Sequence, residues 1–314
     1  MDRLVFFGTP DFAVPTLEAL CDAGRAPLAV VSQPSRPAGR GRHLQDPPVV
    51  EWARKAGLAV VQPDDVRNSA FLDWLEALGP EVAVVVAFGQ IFPKALLQIP
   101  THGCINLHAS LLPSYRGAAP IQAAIVAGEA TTGVTTMQME EGLDSGPILL
   151  QEEIAIRSQE TAGELSERLA EVGAELMVRT LERIESGDVE PRPQMHSQAT
   201  KAPRLRKADG ELDWQQTAAR LVDRIRGVTP WPGAFSRLRD RPLKILWGSV
   251  IENQAVAEGN EPGTYLGLIE SRMAVSCGEG TVLGLERVQR PGKKPVEALQ
   301  FVNGEPIEVG ERFG

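Results

Sequence analysis

The run from Glu81 to Phe88, EVAVVVAF, restricts this chain more than any other stretch. Its apolar residues are continuous rather than alternating. A strand with one face in water alternates, whereas a strand covered on both faces does not. The run is short and rich in valine, which favours a strand over a helix. Leu4 to Phe7, Leu28 to Val31 and Leu58 to Val61 are further strand candidates, with helical patterns at Val49 to Ala56 and Phe71 to Leu78. That alternation predicts a Rossmann-like, mostly parallel α/β sheet with helices on both faces. Gly8-Thr9-Pro10-Asp11 lacks the glycine fingerprint of a dinucleotide site. Asp11 is expected to cap the helix that follows.

The stretch Cys104 to Arg116, CINLHASLLPSYR, is where chemistry is expected. Cys104, Asn106 and His108 are two apart and share one strand face, while Ile105 and Leu107 take the other. In an open α/β sheet, ligands bind at the carboxyl ends of strands. Asn106 offers a neutral amide there, and His108 can carry a proton near neutral pH. Ser110, Leu111, Leu112 and Pro113 form a stiff, mostly apolar loop suited to wall a flat ligand. Phe88, Gly89, Gln90 and Ile91, after the 81–88 strand, form a second wall. Asp144, in Gly142-Leu143-Asp144-Ser145-Gly146, could orient His108. The set suggests oxyanion stabilisation and proton movement rather than a covalent nucleophile. A structural role for Asn106-x-His108 is the plain alternative. A metal site at His102, Cys104 and His108 lacks a second Cys/His cluster.

At 314 residues the chain has room for two cores. Thr161 to Ser186 reads as a long amphipathic helix. A Pro-rich change in composition follows, so residues 1–189 are expected to form the catalytic domain, 190–206 a basic linker, and 207–314 a second domain. Several short strand candidates, Leu243 to Trp247, Gly263 to Ile269, Met273 to Cys277 and Leu283 to Val288, predict a small OB-like β-barrel. A helix is expected from Trp214 to about Arg226.

The net charge of -9 argues against indiscriminate nucleic-acid binding. Yet residues 190–250 hold twelve basic side chains against six acidic ones. Gln33 to Pro48 carries Arg36, Arg40, Arg42 and His43 among prolines and glycines, with Asp46 its one acid. It is expected to lack regular structure: either a solvated loop or a mobile basic loop that closes on a polyanion. Three scattered cysteines read as reduced thiols, and the N-terminus has no signal-peptide layout, so a cytoplasmic location is expected.

GTPDFAVPTLEAL, QPSRPAGRG, GCINLHASLLPSYRGAAPIQAAI, TGVTTMQMEEGLDSGPIL and RIRGVTPWPGAF together resemble the methionyl-tRNA formyltransferase family over essentially the whole chain. Asn-x-His, SLLP and LDxGP alone point to the wider group of formyltetrahydrofolate-using transferases. The resemblance implies transfer of the formyl group of 10-formyltetrahydrofolate to the α-amino group of methionyl-initiator tRNA, without a metal. Asn106, His108 and Asp144 would be catalytic, and Phe88–Ile91 and Ser110–Pro113 would face the folate. Arg36, Arg40, Arg42, Lys201, Arg204, Arg206 and Lys207 would contact tRNA, with Arg237 and Arg239 tracking phosphates. A monomer is expected. Ala123, in place of a larger residue, and Lys201, in place of tyrosine, depart from the family pattern. The rival reading is a formyltransferase for an amino sugar or another small amine, which would not need the basic loop or linker. A non-catalytic RNA-binding protein and a formate-releasing hydrolase are more distant alternatives.

Overall fold

The computed structural model describes residues 1–314 apart from residue 2, residues 39–42 and residues 253–257. Two compact units emerge. One comprises Met1–Pro120, Thr131–Ala155 and Ser166–Ala202; the other comprises Ile121–Ala130, Ile156–Leu165 and Pro203–Gly314.

The first unit contains β1 (Leu4–Gly8), β2 (Ala29–Val31), β3 (Arg36–Ala38), β4 (His43–Gln45), β5 (Val60–Val61), β6 (Val82–Val86), β7 (Cys104–His108), β8 (Arg116–Gly117), β9 (Thr131–Gln138), β10 (Ile148–Ala155) and β11 (Lys201–Ala202). Seven of these make one sheet in the order β10-β9-β7-β6-β1-β2-β5. The five strands from β5 to β7 are parallel, and β9 and β10 add by antiparallel pairing. Every residue of β1 and β6 is buried, as continuous apolar strands require. The strand order reverses between β1 and β6, so the crevice for a ligand opens at their carboxyl ends. Thr9 Oγ1 and Gln33 Nε2 both donate to the Phe88 carbonyl there, at 3.0 and 3.2 Å, joining the ends of β1, β2 and β6.

The helices of the first half of the chain are α1 (Val14–Asp22), α2 (Pro48–Lys55), α3 (Ser69–Leu78) and the short α4 (Lys94–Leu97). Asp11 does not cap α1. It opens a single 3-10 turn, and α1 begins after Ala13 with no side-chain cap. Pro15 in the first turn of α1 replaces one of the N–H groups a cap would satisfy. Asn68 does cap α3, accepting from the Ala70 N–H at 2.9 Å.

Within Gln33 to Pro48 the described residues hold regular structure that the composition does not suggest. β3 and β4 pair antiparallel as a separate two-stranded sheet. Asp46 binds Ser35 and Arg54, and the Gln62 amide donates to Gln33 O and Ser35 Oγ at 3.0 and 3.2 Å. The single acid of the stretch therefore ties it to α2, which sequence composition alone does not reveal.

Downstream lie α5 (Pro120–Ala127) and α6 (Ala162–Ser186). Gly173 of α6 lies against β7: a Cβ there would stand 2.6 Å from Leu107 Cδ2. The apolar face of β7 is thus covered at close range, which leaves Asn106 and His108 on the opposite face.

The second unit contains α7 (Ala218–Gly227), β12 (Ala234–Leu238), β13 (Arg241–Ile251), β14 (Tyr265–Ile269), β15 (Arg272–Ser276), β16 (Val282–Gln289), β17 (Val296–Glu297) and α8 (Ala298–Gly304). Its antiparallel sheet runs β12-β13-β16-β15-β14, with β17 on β16. Leu221, Ile225, Leu243, Ile245, Met273, Leu285 and Phe301 fill the core. Trp214 belongs to that core and donates from Nε1 to Ser236 Oγ at 3.0 Å. The helix expected from Trp214 begins only at Ala218, where Thr217 supplies the cap.

The OB-like architecture departs from expectation in one respect: the barrel is not closed. Among the described residues no ladder joins β12 to β14. Single antiparallel bridges, Leu238 with Phe313 and Thr264 with Arg312, occupy those edges instead. β13 and β14 carry register shifts, and such irregularities twist strands away from regular pairing.

Candidate active site

His108 ends β7 and is buried. Its Nε2 lies 2.9 Å from the Tyr115 carbonyl. A carbonyl only accepts, so Nε2 carries hydrogen, and in the neutral ring the lone pair is on Nδ1. Nδ1 faces Asp144 Oδ2 at 3.7 Å, longer than a hydrogen bond. Asn106, two residues earlier on the same face, is partly buried. Cys104, next along that face, is fully buried, and burial pushes its thiol up to about 12. It is packing, not a nucleophile at neutral pH. His102 sits in the turn before β7, its N–H on the Glu81 carbonyl at 2.7 Å. Among the described residues no three His, Cys, Asp or Glu side chains gather as a metal-holding group.

The Asp144 carboxylate is fixed from a second side by the Gly117 N–H, 2.7 Å from Oδ2. Asp144 itself is left-handed, with φ of 47°, and so are Tyr115 at 60° and Ala87 at 47°. Non-glycine residues in this region cost of order 1 kcal/mol each and persist where surrounding contacts enforce them. Here the three lie around the carboxyl ends of β6 and β7, two of them supplying the partners of His108.

The Ser110–Pro113 loop is rigid because of a residue the sequence did not single out. Thr135 of β9, fully buried, donates from Oγ1 to Ser110 O at 2.6 Å and accepts from the Leu112 N–H at 3.1 Å. Gln151 adds bonds to Leu112 O and Thr135 Oγ1, each 3.0 Å. Ser110 turns its hydroxyl onto Ser114 O at 2.6 Å and is fully buried, while Leu112 packs with Met137 and Ile148. Leu111 and Pro113 remain partly exposed. In the other wall, the Phe88 ring is core, edge-on to Phe7 and Phe92. The Gln90 amide is spent on Val66, Pro63 and Asp64. Gly89 has φ of 88° and Ile91 is 88% exposed. The 88–91 wall therefore offers backbone and Ile91 rather than the Phe88 or Gln90 side chain.

Leu143, beside Asp144, is 64% exposed. Lys94, the first residue of α4, stands 4.0 Å from Glu141, in the loop before Leu143. Two exposed apolar side chains, Ile91 and Leu143, next to a polar pair at strand ends, suit a flat ligand with an apolar face and polar edges.

Of the basic residues singled out, Arg36 is exposed on β3, 3.4 Å from Gln33 Oε1, while Arg40 and Arg42 lie outside the described residues. Lys201 is exposed on β11, in register with Arg116. In the second unit, Arg204, Arg206, Lys207 and Arg237 are exposed. Arg239 is spent: its guanidinium forks onto Glu311 at 2.5 and 2.7 Å and donates to Pro306 O. Arg220, Arg224 and Arg226 likewise bind backbone carbonyls. Much of the positive balance of 190–250 thus has structural duties.

Comparison with known proteins places these features. The formyl transferase profile matches residues 2–181, and the formyl transferase C-terminal domain profile matches residues 204–306. The methionyl-tRNA formyltransferase of Thermodesulfovibrio yellowstonii is 46% identical over 307 residues, covering 98% of this chain and 97% of that protein. That of Anaeromyxobacter dehalogenans is 48% identical over 302 residues, covering 96% of each. Among solved structures, the N-formyltransferase of Helicobacter canadensis, in complex with folinic acid and dTDP-3-aminofucose, superposes with a TM-score of 0.67 at 18% identity, covering 91% of this chain and 99% of that one. HypX of Aquifex aeolicus, in complex with tetrahydrofolic acid, gives 0.60 at 16% identity, covering 99% of this chain and 50% of that one. At those identities the structures speak for the fold, whereas the full-length sequence matches decide membership: the chain belongs to the formyl transferase family, alongside these methionyl-tRNA formyltransferases.

Proposed function

We propose that this protein transfers the formyl group of 10-formyltetrahydrofolate to the α-amino group of methionyl-initiator tRNA. The observation that carries the chemistry is His108, held by the Tyr115 carbonyl on Nε2 and facing Asp144 with Nδ1. The neutral amine attacks the formyl carbon, and the carbonyl oxygen becomes an oxyanion. The Asn106 amide donates to that oxygen. His108 Nδ1 takes the proton lost by the amine, and the resulting imidazolium is stabilised by Asp144. The C–N10 bond then breaks, and the same proton returns to N10 of the folate. No covalent enzyme intermediate is needed.

The folate co-substrate lies against Ile91, Leu143 and the backbone of residues 88–91, with Leu111 and Pro113 opposite. Exposure of Ile91 and Leu143 supports this reading. Arg36, Arg40, Arg42 and Lys201 contact the tRNA from the catalytic portion, residues 1–189 and the linker 190–206. Arg204 and Arg206, at the end of that linker, and Lys207, the first residue of the 207–314 portion, contact its phosphates, which position rather than specify. The protein works in the cytoplasm as a monomer.

The test is formylation of methionyl-initiator tRNA with 10-formyltetrahydrofolate as donor. His108→Ala is expected to lower kcat by about 10²–10⁴, the usual contribution of a proton-carrying side chain. Asn106→Ala is expected to cost about 10²–10³, the usual loss of an oxyanion donor. Transfer to a nucleotide amino sugar with none to tRNA would overturn the substrate, and full activity of both variants would overturn the site.

A further inference from the structure

Gln194, in the segment between the two matched family regions, touches neither His108 nor the Asp144 carboxylate. It is nevertheless buried, with 6% exposure, and its amide makes hydrogen bonds on both ends. Nε2 donates to the Asp144 carbonyl at 2.9 Å and to the Gly146 carbonyl at 2.7 Å. Oε1 accepts from Nε and Nη2 of Arg116 at 3.0 and 2.6 Å. Arg116 lies between Tyr115, whose carbonyl fixes His108, and Gly117, whose N–H fixes Asp144. Both strands of this arrangement are set by the same segment: β11 pairs with β8, and Thr200 Oγ1 accepts from the Tyr115 N–H at 2.8 Å.

The geometry points to Gln194 as a positioning residue for formyl transfer, an amide clamp that holds the left-handed Asp144 loop and the Arg116 segment at the spacing the His108–Asp144 pair requires. A side chain with two donors and one acceptor that takes two bonds is needed, and glutamine supplies it. Glutamate keeps the shape and the acceptor for Arg116 but offers no hydrogen to either carbonyl. It would face the Asp144 and Gly146 carbonyls with negative oxygens, so the loop must move. The residue acts through Asp144, not on the substrate.

This inference rests on the reaction proposed above, and its test separates the two. Wild-type enzyme, Gln194→Glu, Asp144→Asn and the double variant are assayed for formyl transfer to methionyl-initiator tRNA, with KM for each substrate and thermal unfolding measured in parallel. Gln194→Glu is expected to lower kcat by about 10- to 100-fold, the scale of a misplaced catalytic group, with both KM values within about threefold of wild type. In the Asp144→Asn background the second substitution is expected to change kcat less than about threefold, because residues acting as a unit are not additive. A folded Gln194→Glu protein with wild-type kcat would overturn the proposal, as would a full multiplicative loss in the double variant. Gln194→Leu, which removes the amide without adding charge, guards against misfolding of the first variant. It is expected to show the same kcat loss and the same lack of additivity, and normal kcat there would also overturn the clamp. Absence of transfer by wild type would instead remove the underlying reaction.

Discussion

Thr135 supports the loop beside His108 through one hydroxyl, and replacing it by valine removes that hydroxyl while nearly conserving shape. Oγ1 donates to Ser110 O at 2.6 Å and accepts from Leu112 N and Gln151 Nε2 at 3.1 and 3.0 Å. Gln151 Nε2 retains the Leu112 carbonyl at 3.0 Å, so its loss is partial. The Ser110 carbonyl and Leu112 N–H lose this partner at a site where Thr135 is fully buried. Each such group left unpaired costs about 1–3 kcal/mol. Two of them give about 2–6 kcal/mol. The valine methyl, better suited to burial than a hydroxyl, offsets part of this, so about 3 kcal/mol is expected. Thr135→Ser is the control: it keeps the hydroxyl and loses one methyl, for about 1 kcal/mol. Urea unfolding of the three proteins measures both values. Because the loop also walls the proposed folate site, Thr135→Val is expected to raise KM for the formyl donor more than KM for the tRNA. If Thr135→Val destabilises no more than Thr135→Ser, the hydroxyl does not hold this loop, and the account of its rigidity fails.

Two further outcomes follow from the same geometry. Gly117→Ala places a Cβ 2.5 Å from the Ala202 carbonyl oxygen at a φ of 123°, so β8 and β11 must part and the Gly117 N–H must leave Asp144. A stability loss of about 2–4 kcal/mol, from strain plus overpacking, is expected in denaturant titration, together with a fall in kcat. On the acid side, Arg25 and the terminal ammonium hold the Glu185 carboxyl down to about 2, and Arg239 with the Glu308 N–H does the same for Glu311. Both are lowered in the folded state, so their contributions are present above the ordinary carboxylate value near 4.5 and vanish as pH falls towards 2. Thermal unfolding of Glu185→Gln should therefore lose part of the wild-type slope of Tm between those pH values, and an unchanged slope would contradict the pairing.

Local sequence carried much of the architecture. Continuous valine-rich runs fixed which strands are buried on both faces, because water contact would demand alternation. Spacing by two placed Asn106 and His108 on one face and Leu107 on the other, and Gly173 admits α6 against that Leu107 face. The run of short strands anticipated an antiparallel second unit. These are properties of neighbouring residues, and a chain states them without folding. The barrel closure was misjudged because ladder formation between β12 and β14 depends on where residues 312–313 lie, not on either strand's own pattern.

Long-range partnerships were decided only by the tertiary structure. Thr135 is one threonine of a strand, and Gln194 one glutamine in a Pro-rich stretch; neither carries a motif. Their importance comes from meeting residues 25, 50 and 78 positions away, at Ser110, Asp144 and Arg116. Likewise Arg239, Arg220 and Arg226 look like free positive charge until Glu311, the Ala127 carbonyl and the Glu160 carbonyl engage them. Sequence determines which groups are available and which faces they share. Whether a donor is spent on the fold or left for a ligand is settled by burial: a buried polar group must find a partner, and only the folded chain determines which one.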